Sequence, residues 1–174
     1  FGTVYSSIIF NNRIYLGTNQ GLFYSDWSPS SVLLPFNFRL IPNSQGQVWD
    51  LAIIDNELIC GHNNGTFRVL GDKINWLSDA TGGWAIKKLN SNPNYLIQGT
   101  YTGLALYQST PNTSLKFVTK IAGFGFPSRY IEQDSKGEIW VAHAYKGVYK
   151  VTLSSDYKRA ITVKYFDKKD GLPE

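Results

Sequence analysis

Two histidines are the side chains in this sequence that are best suited to metal or acid–base chemistry. His62 and His143 follow two apolar runs that hold equivalent places in a repeated pattern, far apart along the chain. A protein metal site needs three or four converging ligands, and two separated histidines do not provide them. We therefore predict no metal site, and we expect each histidine to make local hydrogen bonds or to touch a ligand.

Motifs for covalent catalysis are missing from the sequence. Cys60, in the run L-I-C-G, is interpreted as a small buried hydrophobic residue rather than a nucleophile. There is no G-x-S-x-G elbow, no P-loop and no dinucleotide-binding glycine motif after a strand. The carboxylates are few, and most lie in turns, where Asp caps its own backbone, instead of forming the convergent pair that glycoside hydrolysis needs. We predict no catalytic residue and no cofactor.

The composition is that of one globular domain, with 174 residues, 43% hydrophobic residues and only 17% charged residues. The net charge of +4 comes with lysines scattered along the chain. A nucleic-acid binder usually concentrates its cations on one element, so we predict no nucleic-acid binding by this segment. No signal peptide or membrane-spanning run is visible, and the sequence does not begin with Met. We expect a piece of a longer protein that meets a membrane only through its other parts.

A sequence motif is repeated along the chain. Its clearest copy, from Asp134 to Val151, contains a turn, a strand, a second turn and a second strand. The glycine that opens the second strand recurs at intervals of 44, 38 and 44 residues, at Gly21, Gly65, Gly103 and Gly147. A period of about 40 residues with several short strands per unit is the mark of a β-propeller, whose units stack to bury their apolar faces.

Each unit is predicted to contain four strands, and their mostly short connections favour sequential antiparallel pairing. The predicted fold class is therefore all-β: four four-stranded antiparallel blades of a partial β-propeller. The predicted blades span about 3–43, 47–78, 83–122 and 128–167, and residues 168–174 are interpreted as the start of a further repeat. The first strand of each blade would line the channel. An ordinary sandwich of four-stranded sheets is the alternative.

The pattern D-x-x-G-x-I-W-V-A-x-x-x-x-G-V-Y-K-V in unit four, preceded by S-R-Y-I-E-Q and followed by F-D-K-K-D-G-L-P, resembles the two-component regulator propeller repeat. Unit one matches this repeat moderately, whereas units two and three depart from it. The matching positions of unit four are Asp134, Gly137, Ile139, Trp140 and Gly147.

The resemblance implies a role in signal transduction. Repeats of this family fill the periplasmic sensor regions of hybrid two-component systems in glycan-degrading bacteria. For this chain the resemblance implies a ligand-sensing, periplasmic propeller segment of a hybrid histidine kinase that responds to an oligosaccharide and is not itself an enzyme. Propellers serve many functions, so a protein-interaction scaffold and a propeller lyase or hydrolase stay open as alternatives.

The resemblance also implies self-association. The family builds seven-bladed propellers, and four blades on that plan would form an open arc with apolar faces exposed on the first and last blade. Exposed apolar faces favour association. We predict that the chain self-associates, for example with two arcs completing a ring; a closed four-bladed ring is the alternative.

One rim of the predicted propeller carries the residues best suited to a ligand. The loops after the second and fourth strands of each blade share this rim and supply amides, aromatic rings and a few cations. Rings stack on sugar faces, while Arg129, His143 and Lys146 suit a carboxylate or sulfate. The alternative is that the amides fill turns and the aromatic rings pack blade on blade. The predicted ligand-binding residues are Trp49, His62, Trp84, Tyr101, Arg129, His143, Tyr145 and Lys146.

Overall fold

The computed structural model describes residues 2–30, 35–143 and 147–172, except for the side chain of His143. The described strands form four four-stranded antiparallel sheets, and each sheet contains four consecutive strands in chain order. Such meanders, stacked one after another, are the blades of a propeller. The predicted fold class, all-β with four four-stranded blades, is confirmed.

The strands have the following bounds. Blade 1 contains β1 (Val4–Phe10), β2 (Arg13–Thr18), β3 (Leu22–Asp26) and β4 (Arg39–Leu40). Blade 2 contains β5 (Val48–Ile54), β6 (Glu57–His62), β7 (Gly65–Leu70) and β8 (Lys73–Ser78). Blade 3 contains β9 (Ile86–Lys88), β10 (Tyr95–Thr100), β11 (Gly103–Thr110) and β12 (Thr113–Lys120). Blade 4 contains β13 (Tyr130–Gln133), β14 (Ile139–His143), β15 (Gly147–Leu153) and β16 (Ala160–Phe166). A short 3-10 helix, Lys168–Asp170, follows.

Two-residue turns set the register in the first two blades. Asn11 and Asn12 both have positive φ, and so do Asp55 and Asn56 in the equivalent turn of blade 2. Two successive positive φ values define the type I′ turn, whose twist matches that of the strands it joins, and Asn and Asp tolerate that conformation. The turn pairs Phe10 directly with Arg13 and so fixes which side chains of blade 1 lie on each face.

Two strands are three residues shorter than the sequence predicts, whereas β13 and β14 each begin only one residue later than predicted. The fourth strand of blade 1 covers two residues instead of the predicted Phe38 to Pro42, and β9 covers three instead of Trp84 to Leu89. Beyond β9 the pairing with β10 continues irregularly, because the Trp84 N–H donates to the Gly99 carbonyl and the Gly99 N–H donates to the Ala85 carbonyl. The backbone at Trp84 is thus held to blade 3 without being part of a regular strand.

Hydrophobic clusters lie between consecutive blades. We call the face of a blade that looks toward the preceding blade its N-side face, and the opposite face its C-side face. One cluster joins blades 1 and 2 through residues such as Tyr15 and Phe67, a second joins blades 2 and 3 through Ile59 and Tyr107, and a third joins blades 3 and 4 through Leu106 and Val141. Both faces of blades 2 and 3 are therefore covered within the chain.

None of the described residues forms a helix that is long and apolar enough to cross a membrane.

Candidate ligand-binding site

The first residues of the innermost strands meet at one end of the molecule. The antiparallel register pairs Val48 with His62 and Tyr130 with Ala142, so each innermost strand begins beside the end of the second strand. A cavity of about 280 Å³ lies there, and all four blades contribute to it. We call it the axial cavity; its lining residues are Tyr5, Trp49, Asp50, Trp84, Ala85, Arg129 and Tyr130.

Three aromatic side chains predicted as ligand-binding residues form one connected group at the axial cavity. The Trp49 indole Nε1–H donates to the Tyr101 hydroxyl at 2.8 Å. The Tyr101 ring in turn makes an edge contact with Trp84, with ring centroids 4.9 Å apart. On the other side of Trp49, the Tyr5 ring lies 4.8 Å away. The packing of one ring on the next limits the rotamers of each and holds the apolar surface of the cavity in place.

Gly82 makes room for this aromatic group. Its φ of +75° lies in the left-handed region, and a Cβ there would collide with the ring of Tyr101. Both requirements select glycine. Because Tyr101 contacts both Trp49 and Trp84, the conformation at Gly82 determines how this aromatic group is arranged.

The indole nitrogen of Trp84 is unusual within the axial cavity. Nε1 of Trp84 is buried and has no hydrogen-bond acceptor among the described residues. Its backbone carbonyl accepts from the side chain of Gln98 at 3.0 Å, so the residue is anchored through its main chain. A buried donor without an acceptor lowers stability, which sets Trp84 apart from Trp49.

Asp50 supplies a carboxylate to the axial cavity. The side chain is half-buried and has no ion-pair partner among the described residues. Burial raises the pKa of Asp50 above its usual value, and a hydrogen bond from the backbone of Leu51 opposes the shift. A desolvated carboxylate without a cation favours donors brought by another molecule, such as sugar hydroxyls.

Arg129 and Tyr130 form the fourth side of the axial cavity. The guanidinium of Arg129 lies over the Tyr130 ring, 5.4 Å from its centroid. Both side chains are exposed, with 58% of Tyr130 open to solvent. The cation and the ring are therefore available to a ligand that enters along the axis.

His62 lies apart from the axial cavity. It is fully buried, and its ring packs against Phe67 and Trp76. The Asn64 N–H donates to Nδ1 at 3.1 Å, so Nε2 carries the proton and donates to the Gln45 carbonyl at 3.2 Å. Burial lowers the pKa of His62, more than its hydrogen bonds raise it. Both ring nitrogens are occupied locally, and we do not include His62 in the candidate site.

The remaining predicted residues fall outside what the structure describes. Tyr145 and Lys146 lie in the segment 144–146, and the side chain of His143 is likewise outside the described residues. The structure thus brings together Trp49, Trp84, Tyr101 and Arg129, and besides Ala85 the cavity is lined by three further residues that were not predicted as ligand-binding. These are Tyr5, Asp50 and Tyr130.

Asp50 could have been found from the sequence, because it directly follows Trp49 in the innermost strand of blade 2. It was not predicted, because Asp prefers turns and most carboxylates of this chain were expected there. Among the described residues there is no group of three or more His, Cys, Asp or Glu side chains that could hold a metal ion.

The four blades and their shared axial cavity define the fold as that of a β-propeller. No protein-family model matches the chain, and no curated protein matches it. Among solved structures, the chain is similar to the extracellular domain of a candidate hybrid two-component system from B. thetaiotaomicron, with a TM-score of 0.54 and 18% identity. That match covers 94% of this chain and 21% of the other protein.

A second similar structure is that of a candidate gluconolactonase, with a TM-score of 0.53 and 11% identity. The match covers 92% of this chain and 62% of that protein. This chain therefore spans less than two thirds of either protein. At these identities the similarity concerns the fold.

Proposed function

We propose that this chain is a ligand-sensing propeller segment of an extracytoplasmic, periplasmic regulator of the hybrid two-component type, and that an oligosaccharide binds in the axial cavity. The observation that carries the proposal is the cavity itself, because its lining combines three aromatic rings with a carboxylate and a guanidinium, from Tyr5, Trp49, Trp84, Asp50 and Arg129. Sugar sites combine flat apolar surfaces for ring faces with a few fixed polar groups for hydroxyls. The fold-level likeness to a two-component extracellular domain supports the regulatory part of the proposal.

The polar groups of the axial cavity favour a ligand with both hydroxyls and a negative charge. Asp50 accepts hydrogen bonds from hydroxyls, whereas Arg129 provides a charge-assisted pair for a carboxylate or sulfate. The cavity volume of about 280 Å³ suits a single sugar unit, with neighbouring units extending into solvent. An acidic oligosaccharide held by one inserted residue fits these dimensions.

The proposal is tested by calorimetric titration of the whole chain with neutral and acidic oligosaccharides. We expect binding that Trp49→Ala weakens by at least about tenfold, which corresponds to roughly 1.4 kcal/mol. Trp76→Ala is the matched control, because Trp76 is a 44% exposed tryptophan on the outermost strand of blade 2 and does not line the axial cavity. Absence of binding across the whole panel, or equal losses in both variants, would contradict the proposal.

A second candidate function is the hydrolysis of a sugar lactone. It is favoured by the fold-level likeness to a candidate gluconolactonase and by the presence of a carboxylate and a guanidinium in the lining of one cavity. The raised pKa of Asp50 suits a general base, and Arg129 is placed to stabilise an oxyanion. Lactone turnover that is lost in Asp50→Asn would favour this function, and binding without turnover would favour the sensor.

A further inference from the structure

Two facing positions between blades 2 and 3 carry polar residues, whereas the equivalent positions of the other interfaces are apolar. The apolar pairs are Leu22 with Cys60 between blades 1 and 2, and Leu104 with Val141 between blades 3 and 4. Thr66, on the C-side face of blade 2, and Gln98, on the N-side face of blade 3, replace them, and both are fully buried. Since well-packed apolar residues would stabilise this interface equally well, the contacts of the polar pair have to explain it.

The side-chain amide of Gln98 binds two hydroxyl groups and one carbonyl group. The Thr66 hydroxyl donates to Oε1 at 2.7 Å, and the hydroxyl of Tyr107, which is also fully buried, donates to the same oxygen at 2.8 Å. Nε2 donates to the main-chain carbonyl of Trp84 at 3.0 Å. Because a carbonyl can only accept, Nε2 must face Trp84, and Oε1 then faces the hydroxyls. The amide therefore has a single orientation.

The Trp84 carbonyl lies outside the regular strand pairing of blade 3. β9 begins two residues later, at Ile86, so the Gln98 amide supplies the donor that a neighbouring strand would give inside a sheet. The preceding residue, Gly83, packs directly on the same network. A Cβ at Gly83 would lie 2.9 Å from Nε2 of Gln98 and 2.7 Å from the hydroxyl oxygen of Thr66. The chain segment that carries Trp84 is therefore in direct contact with the amide.

The indole of Trp84 has no hydrogen bond to keep its ring in place. Its Nε1 is buried without an acceptor among the described residues, and its ring makes an edge contact with Tyr101. Trp49 differs, because its own indole N–H donates to the Tyr101 hydroxyl. The position of the Trp84 ring thus depends on how its main chain is held.

We propose that Gln98 is a positioning residue, which holds Trp84 in the aromatic group of the axial cavity and thereby determines the affinity for a sugar; the second part rests on the function proposed above. Gln98 acts through Trp84, because it is fully buried and does not line the cavity. Thr66 belongs to blade 2 and Gln98 to blade 3, so the network also links the position of Trp84 to the packing of these two blades.

The test measures, without ligand, how fast the indole N–H of Trp84 exchanges with solvent, as followed by NMR of the whole chain. Gln98→Met removes the donor to Trp84 and keeps most of the side-chain volume. We expect the exchange rate of Trp84 to rise by about fivefold or more, the scale of one lost hydrogen bond. The rate of Trp140, whose N–H donates to Asp134 in blade 4, should stay unchanged. A general loss of stability would instead accelerate both.

Thr66→Val is the matched control, because it removes one hydrogen bond from the same amide and leaves the bond from Nε2 to Trp84. The exchange rate of Trp84 should not change in this variant. Circular dichroism and thermal unfolding establish that each variant is folded.

A second variant combines Thr66→Leu with Gln98→Val and so copies the apolar pair found between blades 3 and 4. It removes both polar side chains together, and the exchange rate of Trp84 should rise as it does in Gln98→Met. An unchanged Trp84 rate in both Gln98 variants, or an equal rise in Thr66→Val, would overturn the proposal.

Calorimetric titration with the same panel of neutral and acidic oligosaccharides measures the consequence for binding. Gln98→Met should weaken binding, by no more than Trp84→Ala does, and should have no further effect when the two are combined, because a positioning residue acts through the residue that it holds. Additive losses would contradict this role. Failure of the wild type to bind any oligosaccharide would contradict the function proposed above, whereas the exchange rates decide the role of Gln98 without ligand.

Discussion

The axial cavity and the His62 cluster lie at the same end of the propeller, yet they use similar residue types to opposite effect. Both ring nitrogens of His62 have a local partner, and the buried ring packs against Phe67 and Trp76. In the part of the chain that the structure describes, the Asp50 carboxylate has no ion-pair partner, and the neighbouring rings remain partly exposed. The two regions contain similar residue types, so residue type does not distinguish them. What distinguishes the structural cluster from the candidate binding site is whether its buried polar groups already have hydrogen-bond partners.

The largest loss of stability is expected at Gly82, beside the aromatic group of the axial cavity. Gly82→Ala combines an unfavourable left-handed φ with a collision against Tyr101, and should destabilise the fold by about 2–3 kcal/mol. Ligand binding should weaken as well, because Tyr101 holds Trp49. Gly71→Ala is the matched control, since Gly71 has a φ of +63° with open space around it and isolates the cost of the backbone alone. Equal unfolding free energies for the two variants would contradict the role given to Gly82.

The His62 cluster should respond to pH and not to ligand. The pKa of His62 is lowered in the folded state, so protons bind preferentially to the unfolded chain below about pH 6.5. Stability should therefore fall as the pH drops through that range. His62→Gln should cost about 2 kcal/mol at neutral pH and remove part of this acid dependence, while leaving ligand affinity intact.

Thermal unfolding of the wild type and His62→Gln between pH 5 and pH 8, about the range over which histidine titrates, measures this acid dependence. An unchanged pH profile in His62→Gln would show that the buried imidazole does not determine the acid response.

The pH dependence of stability that Asp50 contributes should have the opposite sign to that of His62. Because the pKa of Asp50 is raised in the folded state, its ionisation costs stability as the pH rises through the folded-state pKa. Asp50→Asn should therefore raise the melting temperature by a few degrees at pH 7. The gain should disappear near pH 3, because the wild-type aspartate is then protonated and, like asparagine, carries no charge. The same variant should bind ligand more weakly, so a loss of stability at pH 7 would contradict our description of Asp50.

The smallest effect on stability is expected at Trp84. Trp84→Phe removes a buried donor that has no acceptor among the described residues, so the free energy of unfolding should stay within about 1 kcal/mol of wild type. Trp49→Phe should cost more, because it breaks the hydrogen bond to Tyr101. Chemical denaturation of the two variants provides the comparison, and a larger loss for Trp84→Phe would contradict it.

Much of the fold could be predicted from the sequence, because its determinants are local. The spacing of Gly21, Gly65, Gly103 and Gly147 and the alternation of apolar residues indicate blades of four strands, and the structure has them in that order. The shortening of β9 was not predicted, since it depends on the irregular pairing of Trp84 and Ala85 with Gly99.

The candidate site was predicted less completely, because it depends on how separate blades stack. The hydrogen bond from Trp49 to Tyr101 joins residues 52 positions apart, and no local pattern indicates it. The sequence also gives no sign that Gln45 and Asn64 occupy both nitrogens of His62. Residue type suggested a shared role for Trp49 and His62, whereas the packing of the loops separates them.

The most direct test of the account follows the five tryptophan indole N–H signals by NMR while oligosaccharides are added to the whole chain. Single Trp→Phe variants assign the signals. We expect the Trp49 and Trp84 signals to shift with a saturable dependence on ligand, while those of Trp27, Trp76 and Trp140 stay in place. A ligand that shifts Trp76 or Trp140 and leaves Trp49 and Trp84 unchanged, or a panel that shifts none of them, would contradict binding in the axial cavity.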